Sequence, residues 1–314
     1  MRNYIKKPAF TAPLLMLTVS ILSVLSAVVM SKLSFKSSDE LFLSYIITEI
    51  LVFVLPGILY VKLKPRGYTA DLNLISFGFS ALPLILLTFC AMVFGGVLMS
   101  LLYMRFPAIG ADGGLTEQAL ALTQGDYITD VKDVIYVSLA LAVIPAVCEE
   151  FIFRGVLLRE YREYGMLPSV LITSVLFAFL HFDLSLFPYY FLAGMALGVV
   201  AYATRSTVAS MILHLLFNLF SLFVQPLVFN FISLAAGTTL VFYLSTVFFL
   251  LFFMLLIGEC ERLFQNYSTA GLKSYAPPKT GSAILHNLEI FTPTLLLCAL
   301  VFVLTALHVF KLPS

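Results

Sequence analysis

Residues 142–158 read AVIPAVCEEFIFRGVLL, an apolar helical stretch that is interrupted by two adjacent glutamates, Glu149 and Glu150. A charged side chain at the centre of a bilayer costs roughly 2.5–3.5 kcal/mol on insertion scales, so this pair needs compensation. Arg154 follows Glu150 by four residues, on the same helical face, where it can pair with that carboxylate. Glu149 points about 100° away and gains no partner from this helix. The stretch predicts a structural role for Glu150 and leaves Glu149 available for chemistry.

The whole chain has the composition of a membrane protein. Its 314 residues are 61% hydrophobic and 11% charged, and apolar runs long enough to cross the hydrocarbon core recur along the length. We predict an all-α, polytopic transmembrane helix bundle of about nine spans, with eight as the alternative count. The net charge of +1 gives no indication of nucleic-acid binding. The predicted spans cover residues 11–31, 42–61, 73–103, 134–158, 167–183, 187–203, 207–228, 233–257 and 291–310.

Basic residues orient the predicted bundle. With a cytoplasmic N-terminus, most of the 18 lysines and arginines fall in cytoplasmic segments, as the positive-inside rule requires. The first apolar run continues to about Met30 without an A-x-A cleavage site, which indicates a retained span rather than a signal peptide. The basic residues predicted on the outside are Lys32, Lys36, Arg105, Lys132 and Lys311.

The chain reads as a single integral membrane domain over residues 1–314. The outer loop 104–133 is predicted to be a solvated connector with a short surface helix around 116–124. Residues 259–290 are predicted to form a polar cytoplasmic linker before the last span. The four cysteines are scattered without a C-x-x-C pair, which argues against a disulfide framework. Cys148, beside Glu149, is interpreted as a small buried hydrophobe rather than a nucleophile.

Few other strongly polar side chains occur in the predicted spans. His181 ends the segment SVLFAFLHF, with Phe177 four residues earlier on the same face, and His214 and Asn218 are four apart in SMILHLLFNLF. Each alone has an ordinary structural interpretation as a packed histidine, an interhelical amide or, for Glu150 and Arg154, a neutral ion pair. Their occurrence with unpaired Glu149 on three neighbouring spans favours a functional site. His286 and His308 lie outside this group.

Two kinds of site fit these residue types. In the first, a carboxylate and an imidazole take a proton from water, while imidazole and amide N–H groups stabilise an oxyanion, as amide hydrolysis requires. In the second, Glu149, His181 and His214 form a His₂-carboxylate site for a divalent metal such as Zn²⁺, with an open position for water. Neither H-E-x-x-H nor G-x-S-x-G is present.

The predicted spans place the site residues at unequal depths. At 1.5 Å per residue, Glu149 and His214 fall roughly 8–12 Å from the inner boundary, whereas His181 falls roughly 20 Å from it. The fifth span must tilt, or begin deeper than Leu167, for the three side chains to meet.

At these positions the chain resembles the CAAX-protease and bacteriocin-processing family of intramembrane proteases, which includes the type II CAAX prenyl endopeptidases. The family pattern is E-E-x-x-x-R, then F-x-x-x-H, then H-x-x-x-N/D, and the protease-like core covers residues 132–225. The matching residues are complete and in chain order: Glu149, Glu150 and Arg154; Phe177 and His181; His214 and Asn218.

The resemblance implies an α-helical membrane endopeptidase of the glutamic or metallo type, in a bacterial or archaeal plasma membrane. It implies that Glu149 is the water-activating base together with His181, that His214 and Asn218 stabilise the oxyanion, and that Glu150 and Arg154 support the site. Substrates would be CAAX-like tails, bacteriocin leaders or other membrane-associated peptides. The resemblance implies either that no cofactor is needed or that the cofactor is a divalent metal.

Two other functions remain open at this point. One is a non-catalytic membrane immunity or scaffold protein with the same fold. The other is a proton-coupled transporter, since buried carboxylates and histidines also build proton relays. The sequence shows neither an inverted repeat nor paired broken helices, which are typical of transporters.

Overall fold

The structure of the protein, a computed structural model, describes residues 8–35, 37–64, 72–105, 130–228, 237–271 and 290–307. These residues form helices and no β-strand, which confirms the predicted all-α fold. Seven of the helices are long and apolar enough to cross a membrane, and α5 and α9 are shorter apolar helices. The helices are α1 Pro8–Met30, α2 Ser38–Lys62, α3 Phe79–Arg105, α4 Val131–Tyr164, α5 Met166–Phe179, α6 Phe187–Thr204, α7 Thr207–Val228, α8 Thr238–Thr269 and α9 Pro293–Ala306.

Helix α4, which carries the glutamate pair, lies at the centre of the bundle. Ile152, Phe153, Val156 and Leu157 are all fully buried, so this part of α4 is surrounded on every side. It contacts α2 and α7, while α3 packs along α8, α5 along α6, and α1 along α9. A helix that is apolar all round is expected to be buried in this way.

Two ion pairs show that α2 and α4 run parallel. Lys132 at the start of α4 pairs with Asp39 at the start of α2. At the opposite ends, Lys64 Nζ lies 3.0 Å from Glu160 Oε2. Two spans separated by one intervening span must point the same way through the membrane, and α3 is that intervening span. The packing therefore agrees with the order of the predicted spans.

Prolines inside the long helices follow wide, π-helical turns. Pro56, Pro145 and Pro226 each lie two residues beyond such a turn, over Ile50–Val54, Leu139–Val143 and Phe220–Val224. Proline lacks an N–H, and its ring clashes with the preceding turn of an α-helix, so a wider turn relieves the clash. The helices continue through each proline, and the local widening occurs beside the candidate site in α4.

A proline in α1 is compensated in another way. Pro13 cannot donate to the carbonyl of Ala9, four residues earlier. The hydroxyl of Thr292 donates to that carbonyl instead, at 3.0 Å, and also accepts from the N–H of Leu295 at the start of α9. This contact fixes the N-terminal end of α9 against α1.

Several predicted spans have different limits in the structure. The predicted span 73–103 begins too early, because residues 72–78 are not helical and α3 begins at Phe79. This segment accepts hydrogen bonds from the start of α7: Thr207 Oγ1 donates to Leu72 O at 2.8 Å, and its N–H donates to Asn73 O at 2.8 Å. The apolar side chains of the segment made it indistinguishable from a helix by hydropathy.

At the other end of the chain, α8 continues to Thr269, so residues 259–269 are helical and do not begin a linker. The ion pair of Glu259 with Arg262 stabilises this polar extension. The rest of the predicted linker, most of the outer loop 104–133 and its surface helix around 116–124 lie outside the described residues.

Candidate functional site

Glu150 forms the predicted ion pair and a second contact that the sequence did not indicate. Its Oε1 accepts from Arg154 Nη1 at 2.7 Å and lies 3.1 Å from His214 Nδ1. The side chains of Glu150 and Arg154 are completely buried. One carboxylate therefore joins a guanidinium on its own helix to an imidazole on α7, and the buried charges compensate each other.

The contact with Glu150 determines the tautomer of His214. A carboxylate that is ionised and paired with Arg154 can only accept, so Nδ1 of His214 must carry the proton. The other ring nitrogen, Nε2, is then an acceptor in the neutral ring and a donor in the imidazolium. Glu150 thus orients the imidazole and balances its charge when it is protonated.

Arg154 also links α4 to α6. Its Nη2 donates to the carbonyl of Gly194 at 2.8 Å, and its guanidinium lies 4.9 Å from the ring centroid of Phe177. A Cβ at Gly194 would come within 3.1 Å of the Cα of Ser174 on α5, so the absence of a side chain lets α5 and α6 approach closely. This approach places Phe177 against the arginine.

His181 lies beyond the end of its helix. Because α5 ends at Phe179, the predicted span 167–183 is too long, and His181 occupies a turn in which Phe182 adopts a left-handed φ of 49°. The imidazole stacks on Tyr190 with ring centroids 3.4 Å apart. It also meets the edge of Phe177 at 5.2 Å, so the predicted contact between these two rings is present.

The helical hairpin of α4 and α5 removes the depth discrepancy. Helix α4 continues to Tyr164, six residues past the predicted end at 158, and the chain reverses at Gly165, whose φ of 93° favours glycine. Glu149 and His181 are the same number of residues from Gly165. The two side chains are therefore level with each other in the hairpin.

Asn218 follows His214 by one turn of α7. Its Nδ2 lies 3.5 Å from the carbonyl of Ala142, in the wide turn that precedes Pro145. A contact of this length holds the amide only weakly. At least one amide proton of Asn218 therefore remains available to a ligand.

The four side chains predicted to be catalytic line one cavity of about 270 Å³, here called the main cavity. They are Glu149, His181, His214 and Asn218. Glu149 is half-buried and makes no hydrogen bond or ion pair with any residue that the structure describes. Apolar and aromatic side chains form much of the remaining wall, among them Leu141, Tyr189, Tyr190, Phe217 and Leu222.

A second cavity of about 200 Å³, here called the side cavity, adjoins the main one between α1, α2 and α4. Glu149, Phe177 and His181 line both cavities. The side cavity also contains Glu49, which the sequence interpretation did not single out. It is the one acidic residue in the apolar run YIITEILVFVLP, and an ionisable residue within a span indicates function by default.

The proposed metal ligands do not form a metal site in the part of the chain that the structure describes. No group of three histidine, cysteine or acidic side chains there is arranged to hold an ion. His214 uses Nδ1 in its contact with Glu150, so Nε2 is the nitrogen that it could offer to an ion. Glu149, His181 and His214 line one cavity, but as placed they are not such a group of three.

Other predicted residues are placed as follows. Cys148 is buried and lines neither cavity, consistent with a packing role. His286 and His308 lie outside the described residues.

Comparison with known families identifies the central segment. Residues 132–220 match the protein-family model described as Rce1-like, type II CAAX prenyl endopeptidase. The match covers less than a third of the chain and includes every residue that carries the resemblance to the CAAX-protease family, which it confirms for this segment. Comparisons with curated proteins and with solved structures gave no match.

Proposed function

We propose that this protein is an intramembrane endopeptidase that hydrolyses peptide bonds of membrane-associated substrates with water activated by Glu149. The observation that carries the proposal is the main cavity, which brings Glu149, His181, His214 and Asn218 to a single space. The family match over residues 132–220 supports a CAAX-type membrane protease.

Glu149 is the proposed general base. Because its carboxylate makes no hydrogen bond or ion pair with the described residues, it is free to bind a water molecule. The water oxygen attacks the carbonyl carbon of the scissile bond while its proton passes to Glu149. The same proton then passes to the leaving nitrogen as the carbon–nitrogen bond breaks. His181, which lines the same cavity, holds the water in place for this attack.

His214 and Asn218 are the proposed oxyanion stabilisers. Asn218 offers an amide N–H, and His214 offers Nε2–H when it is protonated. Glu150 compensates the charge of the imidazolium, so Glu150, Arg154 and His214 together carry one net positive charge toward the developing oxyanion. In this account Glu150 and Arg154 are positioning residues that do not touch the substrate, and Phe177 supports both imidazoles.

The substrates we propose are CAAX-like tails, bacteriocin leaders or other membrane peptides, cleaved on the cytoplasmic side of a bacterial or archaeal plasma membrane. Tyr189, Phe217 and the other apolar walls of the main cavity suit an extended peptide with apolar side chains.

We propose the glutamic rather than the metallo type, because the three candidate ligands do not converge as a metal site requires. Turnover by the purified protein is expected to be undiminished after stringent chelation. A loss of turnover that zinc restores would assign the metallo type instead.

The function is tested with purified protein in liposomes and a panel of quenched fluorescent substrates that includes a prenylated peptide ending in a CAAX tail. Wild-type protein is expected to cleave at least one member of the panel, and Glu149→Gln is expected to cleave it at least a hundredfold more slowly. Glu261→Gln, the same substitution on the exposed end of α8, serves as the matched control and retains activity. Equal cleavage by Glu149→Gln and wild type would overturn the assignment.

A further inference from the structure

The side cavity is a polar compartment whose residues on α1 and α2 have no part in the chemistry described so far. Its walls include Ser23 and Ser26 from α1 and Thr48 and Glu49 from α2. These helices lie outside the segment that matches the family model, so nothing in that match bears on the compartment. Hydroxyl and carboxylate groups within a membrane bundle need hydrogen-bond partners, and the described side chains supply only some of them.

Glu49 is the least satisfied of these groups. Its Oε2 atom is buried and has no hydrogen-bond partner among the described residues. Glu49 and Glu149, the proposed base on the facing helix, both line the side cavity, and their carboxylates repel each other when both are ionised. Ser23 and Ser26 donate to carbonyls of their own helix, at 3.0 Å and 2.8 Å, and their oxygens can still accept.

Water satisfies such a set of groups better than any other occupant. Each water molecule takes about 30 Å³ in the liquid, so a cavity of about 200 Å³ holds several. A buried water is retained where two or more polar partners meet it, and Glu49, Thr48 and the α1 serines supply them. The main cavity also has polar groups, but its apolar walls are wider.

A peptide in the main cavity displaces water from that space. Hydrolysis nevertheless consumes one water molecule for each bond that is cleaved. Glu149 and His181 line both cavities, so they can meet the peptide on one side and water on the other.

We propose that the side cavity is the water compartment of this protease and that Glu49 is a positioning residue that holds its water against Glu149. The proposal rests on the hydrolytic function proposed above. The attacking oxygen comes from the side cavity and bonds to the peptide carbonyl carbon, its proton goes to Glu149, and a second water takes its place.

The side cavity adjoins a groove on the outside of the bundle. Ser26, Thr48 and Val52 also line this groove of about 380 Å³ between α1 and α2. The groove reaches Met30 and Leu33, at the loop that joins the two helices, and its other walls are mostly apolar.

Filling the side cavity tests the proposal without altering Glu149 or His181. Ser26→Leu and Thr48→Leu place apolar bulk in the compartment from two different helices. Each is expected to lower kcat about tenfold or more and to change KM by less than about twofold, because binding of the peptide is separate from supply of water. The matched controls Ser100→Leu and Thr246→Leu replace half-buried hydroxyls that line neither cavity, and they retain kcat.

Substitutions of Glu49 separate water positioning from packing. Glu49→Gln retains polar atoms that bind water, so its kcat is expected to stay within about threefold of wild type. Glu49→Leu has a similar size but binds no water, and its kcat is expected to fall as in the cavity-filling variants. An equal loss in both Glu49 variants would contradict the role assigned to this residue.

Hydroxyl-radical footprinting of wild-type protein tests whether the side cavity holds water, even if a variant fails to fold. Phe53 and Phe42 are both buried on α2, but only Phe53 lines the side cavity. Radicals formed from water in that cavity are expected to oxidise Phe53 and to leave Phe42 unmodified. An unmodified Phe53, or a normal kcat in both cavity-filling variants, would overturn the water compartment. The endopeptidase assignment would survive either result as long as Glu149→Gln remained at least a hundredfold slower than wild type.

Discussion

Glu149 and Glu150 are neighbours in the chain, but their surroundings differ completely. Glu150 is buried between Arg154 and His214, whereas Glu149 reaches both cavities without a hydrogen-bond partner among the described residues. The difference follows from helix geometry. Adjacent residues point about 100° apart, so Arg154, four positions after Glu150, faces Glu150 and not Glu149. One glutamate is therefore held in place and the other is free to react.

At the scale of single residues we expect Glu150→Gln to destabilise the protein. The substitution removes one charge of a buried pair and leaves the Arg154 guanidinium uncompensated, which typically costs about 3–5 kcal/mol. Thermal unfolding in detergent should show a clearly lower midpoint for this variant. Glu261→Gln, on the exposed end of α8, is the control and should unfold like wild type. An unchanged midpoint for Glu150→Gln would mean that the contacts of Glu150 with Arg154 and His214 do not stabilise the bundle.

The residues of the candidate site could be named from the sequence, but their arrangement could not. Helical spacing correctly paired Glu150 with Arg154 and Phe177 with His181. The contact of Glu150 with His214 could not be foreseen, because it joins α4 to α7 and depends on how those helices pack. Glu49 could have been found, since a lone glutamate within an apolar span is itself a signal.

At the scale of helices, the presence of each helix was easier to predict than the residues at which it begins and ends. Every predicted span corresponds to a helix in the described residues, because long apolar runs leave few alternatives. The ends of α3, α4, α5 and α8 differ from the prediction because hydropathy records apolar content and not hydrogen bonding. Thr207 binds residues 72 and 73 in a non-helical segment, and α8 continues as a polar helix beyond its apolar run.

The close approach of α5 and α6 gives a prediction at the same scale. Gly194→Ala places a Cβ 3.1 Å from the Cα of Ser174 and 3.3 Å from a ring carbon of Phe177. We expect a loss of about 1–3 kcal/mol in stability, because the two helices must separate. Activity should fall as well, since the Gly194 carbonyl holds Arg154.

A matched glycine controls for the change in helix propensity. Gly258 lies on α8, and a Cβ there meets nothing within 4 Å. Gly258→Ala is expected to leave stability unchanged or to raise it by up to about 1 kcal/mol. Thermal unfolding and turnover of the two alanine variants, measured side by side, check both expectations. A Gly194→Ala protein as stable as wild type would refute the role assigned to this contact.

At the scale of the whole molecule, the ion pairs at both ends of α2 and α4 fix their relative direction, and the basic residues fix the direction of the bundle in the membrane. We predict that the loop between α1 and α2 lies outside and the polar end of α8 inside. Lys32→Cys should react with a membrane-impermeant maleimide in intact cells, and Asn266→Cys only after permeabilisation. The reverse pattern of labelling would overturn the predicted orientation. The native cysteines are buried or half-buried, which limits background labelling.

The turnover number of Glu149→Gln, measured together with its thermal midpoint, tests the central claim most directly. Glutamine keeps the size of the side chain and removes only its ability to take a proton. We expect kcat to fall by about 10²–10⁴, the usual contribution of a positioned general base, while the midpoint stays at the wild-type value. A variant that folds normally and turns over at the wild-type rate would show that Glu149 is not the base.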